Sequence, residues 1–116
     1  MLSETFTDKQ HEKGYKEALL RTGKSNSHEY RCAIYALSSH DDLRTKALPF
    51  VTQDGIKWAE IESQDFSEGH RFILRATENL FRGQGSVDLS DILLLDATMF
   101  NVLVTSMAVL VMGDGE

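Results

Sequence analysis

Three features of the sequence predict an all-α fold, a compact bundle of about five helices forming one domain over residues 1–116. Apolar residues recur at spacings of three and four, helix-capping residue types stand before these stretches, and glycine or proline (Gly23, Pro49, Gly83) follows several of them. With 41% hydrophobic and 26% charged residues, the chain has the composition of a globular domain able to bury one core.

The elements follow in order. Thr7 with Gln10 fits a capping box, in which each side chain satisfies the other's free backbone amide. His11, Tyr15, Ala18, Leu19 and Thr22 then share one face, and Gly23 suits a left-handed stop. After the polar loop KSNS, Ser27 caps a second helix in which Ala33, Ile34 and Leu37 repeat, with Tyr30 one turn earlier. A short third helix lies in SSHDDLRTKALP. Ser39 or His40 precedes it, Asp41 and Asp42 favour its positive N-terminal end, and Pro49 stops it.

Residues 50–62 form an irregular or hairpin insertion, where Asp54-Gly55 is a tight-turn dipeptide and Ile56 and Trp58 alternate as a small strand would. Asp65 or Ser67 starts a fourth helix, with Phe72, Ile73, Ala76 and Leu80 inward and Gly83 as its stop. Asp88 or Ser90 caps a short apolar turn, ILLL. Asp96 caps the last helix, whose Met99, Phe100, Leu103, Met107 and Leu110 cover more than one face. A helix apolar nearly all round is expected at the centre of the bundle.

Charge is unevenly placed. The net charge is −6, but residues 1–50 balance to +1 (eight Lys or Arg against seven Asp or Glu) and residues 51–116 to −7 (four against eleven). Nucleic-acid binding relies on cations that displace counterions, so direct binding of DNA or RNA is disfavoured and a basic protein partner is favoured. One cysteine makes no internal disulfide, and the N-terminus carries no apolar run after a basic stretch, so a cytoplasmic protein is expected. Residues 92–112 are long enough to span a bilayer. Asp96 and Asn101 interrupt them, and a mid-membrane Asp costs roughly 2.5–3.5 kcal/mol, so a core helix is the better reading.

Two constellations could carry function. In HEYRC, His28 and Cys32 stand four apart, on one helix face and about 5–6 Å apart at Cβ. The spacing resembles HExxH, but a Cys replaces the second His and no further ligand follows at a known distance, which argues against a metalloprotease. A structural zinc would need two further ligands, from His11, His40, His70 or a carboxylate; the plainer alternative is a first-turn His and a packed thiol. The second constellation is a net −4 stretch, Asp54, Glu60, Glu62, Asp65 and Glu68 with only Lys57 among them, interleaved with Trp58 and Phe66. An aromatic in an acidic frame suits a basic groove; the alternative is a solvated connection. No GxSxG, Walker loop or GxGxxG is present, RGQGSVD lacks a preceding strand, and Asp41-Asp42 reads as a helix start. A non-enzymatic protein is expected.

The segments FTDKQHEKGYKEALLRTG, EYRCAIYALSSHDDLR, ATENLFRGQGSVDL and LLLDATMFNVLVTSM resemble a family of small acidic proteins from phages, prophages and mobile elements of Gram-positive bacteria. The resemblance runs along most of the chain and rests on spaced apolar and turn residues. The tail AVLVMGDGE departs from it in lacking a basic ending. What it implies is context: such proteins include anti-CRISPR inhibitors that bind a Cas effector and block its nucleic acid. The expected function is inhibition of a host defence protein through an acidic surface, with a homodimer assembled through the last helix as the alternative.

Overall fold

A computed structural model describes residues 6–113. The elements are α1 (Lys9–Thr22), α2 (His28–Leu37), α3 (Asp41–Ala47), a 3-10 turn (Leu48–Phe50), β1 (Val51–Thr52), β2 (Gly55–Ile56), α4 (Trp58–Glu62), α5 (Glu68–Arg82), a 3-10 segment (Leu89–Leu94) and α6 (Ala97–Met112). The all-α expectation holds, with one more α-helix than expected and a two-stranded antiparallel hairpin pairing Val51 with Ile56 and Thr52 with Gly55. Gly55 has φ 143°, a backbone conformation that side-chain-bearing residues rarely adopt. Among the described residues no helix is long and apolar enough to cross a membrane.

Local chemistry sets the helix ends. Asp8, not the Thr7–Gln10 box, caps α1: its carboxylate accepts from the His11 amide at 2.8 Å, while the Thr7 hydroxyl donates across the fold to the Ser39 carbonyl at 2.8 Å. A carboxylate one residue nearer the helix outcompetes a hydroxyl that has a tertiary partner. Ser27, Ser67 and Asp96 cap α2, α5 and α6 through the amides of Tyr30, His70 and Met99. Gly23 and Gly83 close α1 and α5 in the left-handed region.

The centre of the bundle is α2, not the last helix. Seven of its ten residues are buried, and it packs against α6, α5 and α1. Ala33, Ile34, Ala36 and Leu37 are wholly inaccessible and form one cluster with Leu43, Val51, Ile61, Ile73 and Leu74. By contrast α6 buries Val102, Leu103, Ser106 and Val109 but leaves Phe100, Val104, Met107 and Val111 exposed. Its all-round apolarity therefore reflects one core face and one outer face.

Side chains to carbonyls pin the insertion. Arg21 donates to the Val51 and Leu48 carbonyls at 2.7 and 3.0 Å, Tyr30 to Thr52 at 2.8 Å, and Gln64 to Lys46 at 2.7 Å. Trp58 opens α4 rather than extending a strand. Its indole lies in the core, 5.7 Å from the Phe81 ring. At the other end of α5, a Cβ on Gly69 would come within 2.9 Å of the Met99 sulfur and 3.2 Å of the Leu94 carbonyl. Glycine there lets α5 meet the joint between the 3-10 segment and α6.

Candidate functional site

The four expected zinc ligands are not brought together. His11 is fully buried beneath Phe6 and Tyr35, with ring centroids at 5.0 and 4.6 Å. The Thr7 amide donates to its Nδ1 at 3.0 Å, so Nε2 carries the proton and donates to the Tyr35 carbonyl at 2.9 Å. Both nitrogens are thus engaged, and burial drives the pKa down to about 4. His28 is exposed at the start of α2, close to Gly113. Cys32 is buried on the core side of the same helix. Its thiol faces Ser106 of α6, and burial pushes it up to about 12. That thiol is a packed hydrophobe, without the thiolate character that a nucleophile or ligand requires.

His40 stands elsewhere, as the residue preceding α3. The Ser39 hydroxyl gives its proton to the Ala36 carbonyl, so His40 Nδ1 donates to Ser39 Oγ at 2.9 Å. The His40 ring lies 5.0 Å from His70, whose Nδ1 is 3.6 Å from Asp42. Burial, together with the neighbouring His70, holds the His40 pKa below its ordinary value. Nothing in the sequence signalled this pair, because the two histidines are thirty residues apart and meet only where α3 and α5 begin. Among the described residues no group of three His, Cys, Asp or Glu stands close enough to share a metal ion.

The acidic stretch is only partly a surface. Trp58 is 6% exposed, so the aromatic expected in its midst is a core residue. Ile61, three residues after Trp58 and buried with it, is the helical signal in this stretch, whereas Ile56 belongs to β2. Glu62 is half-buried and accepts from Arg71 at 3.0 Å, with Arg75 at 3.9 Å. Asp54, Glu60, Asp65 and Glu68 are exposed.

The structure adds three carboxylates to this surface, two of which, Asp88 and Asp96, the sequence offers as caps. Asp88, Asp91 and Asp96 are exposed, and Glu68, Asp88 and Asp91 line one open cleft of about 420 Å³ with Arg71, Arg75 and Phe72. Hydrogen bonds from the Ser90 hydroxyl and amide hold the Asp88 carboxyl below its ordinary value, so it is firmly anionic.

Pairing determines what this surface presents. Arg71, Arg75 and Arg82 are three of the four Lys or Arg after residue 50, and they are tied to two glutamates, Glu62 and Glu78. Asp54, Glu60, Asp65, Glu68, Asp88, Asp91 and Asp96 have no ion-pair partner among the described residues. The negative balance of the sequence is therefore carried outward, by side chains in contact with solvent. No family model, curated protein or solved structure matches the chain.

Proposed function

We propose that this chain is a non-enzymatic binding protein that offers an acidic surface to a basic protein, and that it inhibits a host nucleic-acid-handling protein such as a Cas nuclease. The observation that carries this reading is the exposed set of carboxylates from α4 to the start of α6 without an ion-pair partner among the described residues. They outnumber the nearby arginines, Arg71, Arg75 and Arg82, themselves tied to Glu62 and Glu78. Such a surface raises the encounter rate with a cationic groove and repels phosphate. Competition with nucleic acid for that groove is the mechanism: carboxylates occupy the cationic sites that the phosphates would take.

The chemistry-bearing side chains support a non-catalytic role, since His11 and Cys32 are engaged inside the core. The resemblance to phage and mobile-element proteins supplies the class of partner. The test is to mix the purified protein with a panel of Cas effectors and measure co-elution and nuclease activity. Complex formation with loss of cleavage is expected from at least one effector. The triple variant Glu68→Lys, Asp88→Lys, Asp91→Lys should weaken the complex. No complex and no inhibition with any effector would remove the proposal, and unchanged affinity of the triple variant would return those residues to solvation.

A further inference from the structure

We infer that His40, His70 and Asp42 form a proton-operated latch between the starts of α3 and α5, which one proton closes and a second opens. The latch stands apart from the acidic-surface reading and can fail or hold without it. The two imidazole rings lie with centroids 5.0 Å apart. His70 Nδ1 is buried without a hydrogen-bond partner among the described residues. Asp42 Oδ2 stands 3.6 Å from it, beyond hydrogen-bond length but within reach of an ion pair. An unpartnered buried nitrogen is a cost that the fold carries while the ring is neutral. A proton taken up from solvent leaves His70 with N–H groups at both nitrogens, so Nδ1 donates to Asp42 and ties the first turn of α5 to that of α3. Lys46 holds the other carboxylate oxygen, Oδ1, at 3.0 Å, which keeps Asp42 anionic.

His40 meets the second proton differently. Its Nδ1 already donates to Ser39 Oγ at 2.9 Å, so a further proton goes to Nε2. His40 faces His70 from α5, Asp96 from the start of α6, Asp8 from the start of α1 and Arg44 of α3. His11 of α1 also feels its charge. Burial, His70 and Arg44 oppose that charge and outweigh the two carboxylates, so the His40 pKa is lowered. Two unit charges 5.0 Å apart weaken the second proton about fourfold even at the dielectric constant of water, and more in a half-buried joint. Both rings also stand at helix N-termini, where the backbone amides disfavour a cation. Since His40 binds its proton more weakly in the closed joint than in an open chain, acid favours the open joint. The turn of α5 that would move carries Glu68, at the rim of the acidic cleft.

Ring-proton NMR of the purified chain from about pH 8 to about pH 4 follows each histidine, and amide exchange at His70 and Arg71, corrected for the intrinsic rate, reports the joint. Both amides are bonded to Ser67 in the first turn of α5. Two separate steps are expected on acidification, His70 first and His40 second. Protection should rise with the first step and fall with the second, and these steps test the latch without any substitution. Asp42→Asn should abolish the rise. His70→Gln should raise the His40 midpoint by at least about half a pH unit, the fourfold repulsion having been removed. Circular dichroism should show both variants folded. A shared midpoint for the two rings overturns the inference. So does a His40 midpoint unmoved by His70→Gln, or protection that ignores both steps.

Discussion

His11 makes acid sensitivity a quantitative consequence of the fold. Its neutral ring accepts from the Thr7 amide and donates to the Tyr35 carbonyl, so protonating Nδ1 would set two donors against each other inside the core. Burial lowers the folded-state pKa from 6.5 to about 4. Because the folded value lies below the unfolded one, the unfolded chain binds more protons between them. Stability is therefore full above pH 6.5, falls as pH drops through that value, and loses the whole contribution below about pH 4. At roughly 1.4 kcal/mol per pH unit the full loss is about 3 kcal/mol, of which about 2 kcal/mol is spent between pH 7 and 5. The lowered pKa of His40 acts in the same direction, whereas the lowered pKa values of Asp42 and Asp88 matter only in stronger acid, below the ordinary carboxylate value of 3.8. Urea melts at pH 7, 6 and 5 check this. With a slope of about 2 kcal/mol per M the midpoint should fall by about 1 M over that range. His11→Gln should flatten most of the dependence. Equal or greater stability at pH 5, or an unchanged slope in the variant, would refute the reasoning.

Three further substitutions or probes separate core from surface. Trp58→Ala should destabilise by about 3–5 kcal/mol in a thermal or urea melt, as removal of a buried aromatic does, whereas a surface hot spot would leave stability intact. A disulfide reagent should label Cys32 in the native protein about a thousandfold more slowly than in denaturant, because a thiol with a pKa of about 12 instead of 9.0 holds that much less thiolate. Asp8→Ala should cost about 1 kcal/mol through loss of the α1 cap, while Gln10→Ala, at an exposed position, should stay within about 0.5 kcal/mol. The reverse order would restore the capping-box reading.

Much of the fold was legible because it is written at short range. The inward set His11, Tyr15, Ala18, Leu19 and Thr22, the stops Gly23 and Gly83, and the caps Ser27, Ser67 and Asp96 depend on neighbours within four residues. What was misread depends on the third dimension. The composition of α6 could not say which of its two apolar faces met the core, so the short helix α2 was passed over as the centre. Trp58 fitted both a strand alternation and a helix start, and only packing against Phe81 decides between them. Pairing was also invisible: Glu62 looked like part of an acidic surface until Arg71 and Arg75 proved to be its partners. The cleft that gathers Glu68, Asp88 and Asp91 joins α5 to a segment twenty residues further along.

The most direct test of the central claim is competition for a cationic groove. A labelled oligonucleotide is bound to a Cas nuclease, the protein is added at about 0.15 M salt, where screening spares only close charge contacts, and fluorescence anisotropy is followed. The account predicts that anisotropy falls towards that of the free oligonucleotide and that the Glu68, Asp88 and Asp91 charge-reversed variant leaves it unchanged. An oligonucleotide that stays bound to every nuclease tried, or that binds this protein directly, would contradict the account.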